Sequence, residues 1–335
     1  MLRTRFTDLV GCSVPIQLAG MGNLGGPRLA AAVTGAGGLG TLSVYGTRPA
    51  DVADALDRLG EAVTGPLCAN LIMHFVEPDD VVATLATAAA RVRVVDFFYT
   101  DPDPELVKLV HHHGALASWQ VGSREEALAA EAAGCDVVIA QGVEAGGHVR
   151  GRIDLLALLD EVLEAVDVPV LAAGGIGSGR TLAAALAAGA DGARIGTRFL
   201  AAEEANAHPT YLAALFAARA RDTVHTEAFF GGWPITAPHR LLRSCVAAAE
   251  AFPGAVVGEG EDILTGERYP VARFGCGGVT GAFMGEIGAM SLWAGEAVGR
   301  LTRVQPAAEI VGELVVEAEA RLGRWSAPTG GGASG

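Results

Sequence analysis

The 335-residue chain has a formal net charge of −14, and half of its residues are apolar, enough for a sizeable core in one large α/β domain or two smaller ones. That acidity works against nucleic-acid or anionic-membrane partners, which a surface of like sign repels, and leaves small molecules as the expected ligands. Five scattered cysteines without a CxxC pair fit a reducing, cytoplasmic setting and no metal centre, and no uncharged apolar run reaches the roughly 20 residues that cross a bilayer.

From the N-terminus, Asp8 interrupts what would have to be the apolar core of an export signal, and β-rich runs then alternate with alanine-rich helical ones. The strands read VPIQLA (14–19), LGTLSV (39–44), PLCANLI (66–72), VRVVDFF (92–98), ALASWQV (115–121), DVVIAQ (136–141), PVLAAG (169–174) and GARIG (192–196). Stretches such as RPADVADALDRLGEAV and SREEALAAEAAG lie between them, poor in β-branched residues, and a glycine near the end suits a helix cap. Eight such units predict an α/β fold, a (β/α)8 TIM barrel over 1–221. Beyond it, 222–281 reads as an irregular lid or substrate insertion, 282–325 as C-terminal helices packing on the barrel, and 326–335 as a disordered tail.

In such a barrel the loops after the strands carry the chemistry. VPVLAAGGIGSGR places Gly174, Gly175, Gly177 and Gly179 between a strand and a helix, where free backbone N–H groups hold anions and a missing Cβ permits close approach. The next unit ends in Gly196 and Thr197, so the two loops fall after strands seven and eight, the usual phosphate corner of this fold. AQGVEAGGHVRG (140–151) follows strand six and sets His148 among Gly146, Gly147 and Gly151. An imidazole with an ordinary pKa of about 6.5 on that rim suits proton transfer.

Other motifs carry less. GAGGLG (35–40) has dinucleotide-fold spacing, but it runs from helix to strand and reads as a cap and tight turn. His111, His112 and His113 lie at a helix end, where neighbours point about 100° apart and do not converge on one ion. Asp96 and Glu144 sit near strand ends with nothing to fix their separation, and Lys108, the only lysine, falls inside a helix, which disfavours Schiff-base chemistry. Trp233 and Trp293 are equally an aromatic wall to a substrate pocket or packed core.

Taken together, PIQLAGMGNLGGPRLAAAVTGAGGLGTL, CANLI, AQGVEAGGH, AAGGIGSGR, GADGARIGTRFLAAEE and the late SLWAGEAVGRL resemble the nitronate monooxygenase family, formerly grouped as 2-nitropropane dioxygenases, which are FMN-dependent (β/α)8 barrels. The resemblance covers most of the chain. It implies FMN as cofactor, with Gly174 and Gly175 and the run Arg194, Ile195, Gly196 and Thr197 at its phosphate. Asn70, Gln120, Gln141, Gly146 and Gly147 would lie along the flavin, with Ala19, Gly20 and Met21 under or beside the ring. His148 takes the place of the family's active-site histidine. The implied reaction is oxidation of alkyl nitronates with dioxygen to carbonyl compounds and nitrite, His148 deprotonating neutral nitroalkanes where these are accepted. Gly20 stands where many nitronate enzymes have proline, and Gln120 where related quinone reductases carry lysine. The alternative is an NAD(P)H-dependent FMN reductase acting on an enoyl thioester or a quinone. The partners are then a small-molecule substrate and O2, with a homodimer as the assembly considered.

Overall fold

In the computed structural model, which describes residues 2–44, 48–233, 236–261 and 267–326, the strand–helix alternation closes into a barrel. Its strands are β1 (Ile16–Leu18), β2 (Gly40–Ser43), β3 (Leu67–Ile72), β4 (Val94–Phe98), β5 (Leu116–Val121) and β6 (Val137–Gln141), then, past the two-residue β7 (Gly147–His148) that stands outside it, β8 (Val170–Ala173) and β9 (Gly192–Ile195). They run parallel in the order β1-β9-β8-β6-β5-β4-β3-β2. Closure comes from β1 against the start of β2: the Leu18 N–H donates to the Leu39 carbonyl at 2.9 Å and the Leu39 N–H to that of Ile16 at 2.9 Å. All eight strands coincide with the runs read from the sequence.

The helices are α1 (Arg5–Val10), α2 (Gly26–Gly35), α3 (Pro49–Ala62), α4 (Val81–Ala89), α5 (Pro104–His112), α6 (Arg124–Ala132), α7 (Leu155–Leu163) and α8 (Gly179–Ala187), followed by α9 (Pro209–Ala217), α10 (Arg243–Ala251) and α11 (Ala307–Ser326). Each barrel helix buries one stripe, as α3 does with Val52, Leu56 and Leu59. Side chains of Asp103, Ser123 and Ser178 cap α5, α6 and α8. α1 plugs the N-terminal end of the barrel, where Phe6 and Val10 pack with Leu39, Cys68, Val94, Ile139 and Leu171. Its Arg5 grips Asp191 through two bonds of 2.9 and 2.7 Å.

Side chains alternate across each barrel strand, so Val95 and Phe97 face the helices while Asp96 faces inward. The interior changes character along its axis. It is apolar near α1, whereas Asn70, Asp96, Ser118, Gln120, Gln141 and Arg194 are buried polar groups toward the strands' C-terminal ends. Polar groups are costly inside a fold unless paired, so this layer marks the end of the barrel built to meet a ligand.

The C-terminal third differs from the sequence reading. Within 222–281, β10 (Thr223–Thr226) and β11 (His239–Leu242) join β7 in one antiparallel sheet ordered β10-β11-β7. β12 (Val256–Glu261) and β13 (Arg268–Ala272) join β14 (Met284–Gly285) in a second, ordered β13-β12-β14. Glycines at 258 and 260 mask the alternation in β12; a Cβ at Gly258 would lie 2.0 Å from the Met284 carbonyl oxygen. From 282 to 306 the expected helices are replaced by short 3-10 turns at Ile287–Ala289 and Glu296–Arg300, and only α11 is long. This part has its own core of Tyr211, Leu215, Phe229, Leu241, Cys245 and Met290 among others. The expected disordered tail falls, from 327 onward, outside the described residues. Among the described residues no helix is long and apolar enough to cross a membrane.

Candidate active site

A cavity of about 390 Å³ opens at the C-terminal end of the barrel, within the ~300–1,000 Å³ range of small-molecule sites. Every residue expected to contact the cofactor lines it, from Ala19, Gly20 and Met21 after β1, through Asn70, Gln120 and Gln141, to Gly146, Gly147, His148, Gly174, Gly175, Arg194, Ile195, Gly196 and Thr197.

Its floor is a closed set of charges and hydrogen bonds. Asp96, fully buried on β4, accepts from Arg194 at 2.6 Å, from Asn70 Nδ2 at 2.7 Å and from Ser118 Oγ at 3.0 Å. Arg194, read with the phosphate grip, thus directs its guanidinium at Asp96 inside the barrel, because residue 194 faces inward while Ala193 and Ile195 face the helices. Asn70 explains Gly20: a Cβ there would lie 2.1 Å from Asn70 Oδ1, so the amide occupies the space that a larger residue at position 20 would need.

The glycines after β8 divide by role. Gly174 and Gly175 have φ of 122° and 65°, in the left-handed region, and they line the cavity. Gly177 and Gly179 serve packing instead: a Cβ at 177 would sit 2.8 Å from that of Ala297, and one at 179 would sit 2.4 Å from Glu317 Cβ on α11. The amides of Gly177 and Ser178 donate to Thr181 Oγ1 at 3.1 Å each. Those of Gly175, Ile176 and Gly196 have no partner among the described residues, and all three residues line the cavity. Gly146 lets the loop after β6 touch the late segment; a Cβ there would lie 2.4 Å from the Gly295 nitrogen.

His148 is held from several sides. The Gln141 side chain clasps its loop, donating from Nε2 to the His148 carbonyl at 2.9 Å and accepting from the Arg150 N–H at 2.9 Å. Arg150 in turn binds Glu126 and Asp101, at 2.7 Å each. Tyr99, with φ of 60°, donates its hydroxyl to the Val149 carbonyl at 3.1 Å. Across β7 and β11, His148 pairs in register with His239. The His239 ring is fully used: Nε2 accepts from the Phe229 N–H at 3.1 Å, which leaves Nδ1 as the donor to the Ala237 carbonyl at 3.0 Å.

The His148 imidazole stacks on Trp233, with ring centroids 3.6 Å apart and planes inclined by 16°. Burial, with a smaller repulsion from His239, lowers its pKa to about 3, so it is neutral at physiological pH and able to accept a proton. Its Nε2 and the Trp233 indole Nε1 are both buried without a hydrogen-bond partner among the described residues. Unmet buried polar atoms cost about 1–3 kcal/mol each, and in a cleft they mark atoms that a ligand satisfies.

The remaining motifs are structural. His111 at the end of α5 meets Asp136 at 2.8 Å. Both Glu144 oxygens accept from the Leu155 N–H at 3.0 Å, at the start of α7, and burial raises that carboxyl's pKa. In GAGGLG, Gly37 turns with φ of 92°, and a Cβ at Gly40 would lie 2.0 Å from the Ala30 carbonyl oxygen, which confirms a turn that brings strand and helix together.

A family model described as nitronate monooxygenase matches residues 3–317. The chain belongs to the nitronate monooxygenase family. It is therefore an oxidoreductase, and its relatives agree with that. A nitronate monooxygenase of Paraburkholderia phytofirmans (strain DSM 17436 / LMG 22146 / PsJN) is 32% identical over 91% of this chain and 92% of its own. The (3aS,4S,5R,7aS)-5-hydroxy-7a-methyl-1-oxo-octahydro-1H-indene-4-carboxyl-CoA dehydrogenase of Rhodococcus jostii (strain RHA1) is 35% identical over 72% of this chain. The match spans 66% of that relative's length. The solved structure of a nitroalkane oxidase from Streptomyces ansochromogenes superposes with a TM-score of 0.76 at 31% identity, covering 97% of this chain and all of that one.

In this member of the nitronate monooxygenase family, several cavity residues had no local sign in the sequence. Tyr269 arrives from β13, and Cys276 and Gly277 from the segment after it, distant in sequence from every recognisable loop. His239 lies beside His148 only because β11 pairs with β7. Asp96 did leave a trace, as the one charge among the inner residues of the apolar run VVDFF.

Proposed function

We propose that the protein is an FMN-dependent nitronate monooxygenase that oxidises alkyl nitronates with dioxygen to carbonyl compounds and nitrite. The observation that carries this reading is the unpartnered Nε2 of a neutral His148, which lines the same cavity as the glycine corner with its free amides. The residues fit FMN. The N–H groups of Gly175, Ile176 and Gly196 would hold its phosphate, Gly20, Met21 and Asn70 would border its ring, and Arg194 backed by Asp96 would lie below. When bound, FMN supplies the redox chemistry, passing electrons from the nitronate to dioxygen. The chain itself binds and orients: Gln141 and Tyr99 fix the His148 loop, Trp233 and Trp293 wall the cavity against water, and Nε2 takes the α-proton when the substrate arrives as a neutral nitroalkane.

Anaerobic mixing of the yellow holoprotein with propyl-2-nitronate tests this reading. We expect the flavin absorbance to bleach without any nicotinamide. The second reading, an NAD(P)H-dependent FMN reductase of an enoyl thioester or a quinone, draws support from the CoA thioester in the name of the Rhodococcus jostii relative. Rapid bleaching by NADH with no response to nitronate would establish it in place of the first.

A further inference from the structure

We propose that Trp233 is a substrate-contacting residue, which donates its indole N–H to the substrate oxygen that gathers charge while His148 Nε2 removes the α-proton; the inference rests on the nitronate reading above. The indole and imidazole are nearly parallel, 16° apart in inclination and 3.6 Å apart at their centroids. A ring N–H and a ring lone pair each lie in the plane of their own ring, so stacked rings cannot hydrogen-bond to one another. Trp233 Nε1 and His148 Nε2 are accordingly both buried and unpartnered among the described residues. One is an obligate donor, the other the acceptor required of a base.

Of the two rings, the imidazole is the better fixed, by the β7–β11 pairing and by the Gln141 clasp. Trp233 comes from the turn at Gly231 and Gly232, and it is flanked edge-on by Phe75 at 4.8 Å and Tyr99 at 5.5 Å. For a ligand to reach both atoms the rings must part, and a molecule with an acidic C–H beside an oxygen then meets the base and the donor together, with a proton for Nε2 and an acceptor for the indole N–H. A nitroalkane offers both on adjacent atoms. The Cα–H bond breaks, its electron pair forms the C=N bond as charge moves onto a nitro oxygen, and the proton bonds to Nε2. The products are a nitronate facing the indole N–H and an imidazolium, and the step needs no oxidant.

The test uses the FMN-loaded protein and isobutyrate, an unreactive anion with the heavy-atom connectivity and paired oxygens of propyl-2-nitronate, in a calorimetric titration. Trp233→Phe keeps a ring in the stack and removes only the donor. Its Kd for isobutyrate is expected to rise about ten- to a hundredfold, as for loss of a hydrogen bond to a charged group. With 2-nitropropane its kcat falls about a hundredfold, whereas with propyl-2-nitronate KM rises and kcat is largely kept, since that anion is already formed in the ground state. Trp233→Tyr, which retains a donor on an aromatic ring, holds isobutyrate within a few-fold of the unmodified protein, and this arm stands whether or not the Phe variant loads FMN. An unmodified protein that ignores isobutyrate, a Phe variant with unchanged Kd, or a Tyr variant as weak as the Phe variant overturns the inference. Trp233-dependent binding in a protein whose flavin stays oxidised with propyl-2-nitronate would sink the nitronate reading alone and leave the donor–acceptor pair standing for another carbon acid.

Discussion

His148 and Gly20 show how much a single position decides. Replacing His148 by Ala removes the proton acceptor but leaves the Gln141 contact, which goes to the backbone carbonyl of residue 148. We expect a folded, FMN-binding protein whose turnover of neutral nitroalkane falls by about 10²–10⁴-fold, while turnover of preformed nitronate falls far less. Steady-state rates on the two substrates at one pH check this, and equal losses on both would take the histidine out of the proton-transfer role. Gly20→Ala puts a methyl group 2.1 Å from Asn70 Oδ1, so the Asn70 amide must leave Asp96, at a cost of about 1–3 kcal/mol. In denaturant titrations the double variant Gly20→Ala/Asn70→Ala should lose less than the sum of the single changes, because each single change loses the same Asn70–Asp96 hydrogen bond and removing the Asn70 amide also removes the clash. His148 was legible in the sequence because the glycines around it and its place after the sixth strand are local features. The reason for Gly20 was not, since it depends on a side chain fifty residues away that reaches it only in the closed barrel.

At the scale of elements, two glycines in one loop separate ligand binding from packing. Gly175 faces the cavity beside free amides, whereas Gly179 lets α8 lie against α11. Gly175→Asp directs a carboxylate toward the proposed phosphate corner. The expected result is loss of FMN, read from the visible spectrum after desalting, with the apoprotein still folded. Gly179→Val, in contrast, places its Cβ 2.4 Å from Glu317 Cβ and should lower stability by at least the ~1–3 kcal/mol of an overpacked core, with FMN occupancy kept in the fraction that folds. If the two variants behaved alike, the division of roles would be wrong. The sequence shows why a glycine-rich strand-to-helix loop attracts attention, but it does not distinguish these positions. The partner of Gly179 is the last helix of the chain, and no spacing within the loop reveals it. The same limit applies to β12, where glycines at 258 and 260 remove the alternation by which strands are recognised, whereas the barrel strands declare themselves through continuous apolar runs bounded by turns.

For the whole molecule, the junction between the barrel and the C-terminal part makes stability depend on pH. β7 carries His148 out of the barrel's loops, and β11 carries fully buried His239 into the second core, so two neutral histidines face each other where the two parts meet. Burial lowers His239 to about 4, and its hydrogen bonds to Ala237 and Phe229 fit only the neutral ring. A histidine of an unfolded chain binds its proton near pH 6.5. Below that value the unfolded state takes up a proton that the folded state refuses, so stability is full above about 6.5 and is lost as pH falls toward 4. Between pH 7.5 and 5.0 the loss from His239 alone is on the order of 2 kcal/mol, from 1.5 units below 6.5 at 1.36 kcal/mol each. His148, lowered further by the same cause, adds in the same direction. Urea unfolding at these two pH values should show the loss, and His239→Gln, whose amide can both donate to Ala237 and accept from Phe229, should show a smaller one. Because carboxylates titrate mainly below this window, an unchanged pH dependence in the Gln variant would mean that the acid sensitivity arises elsewhere in the chain.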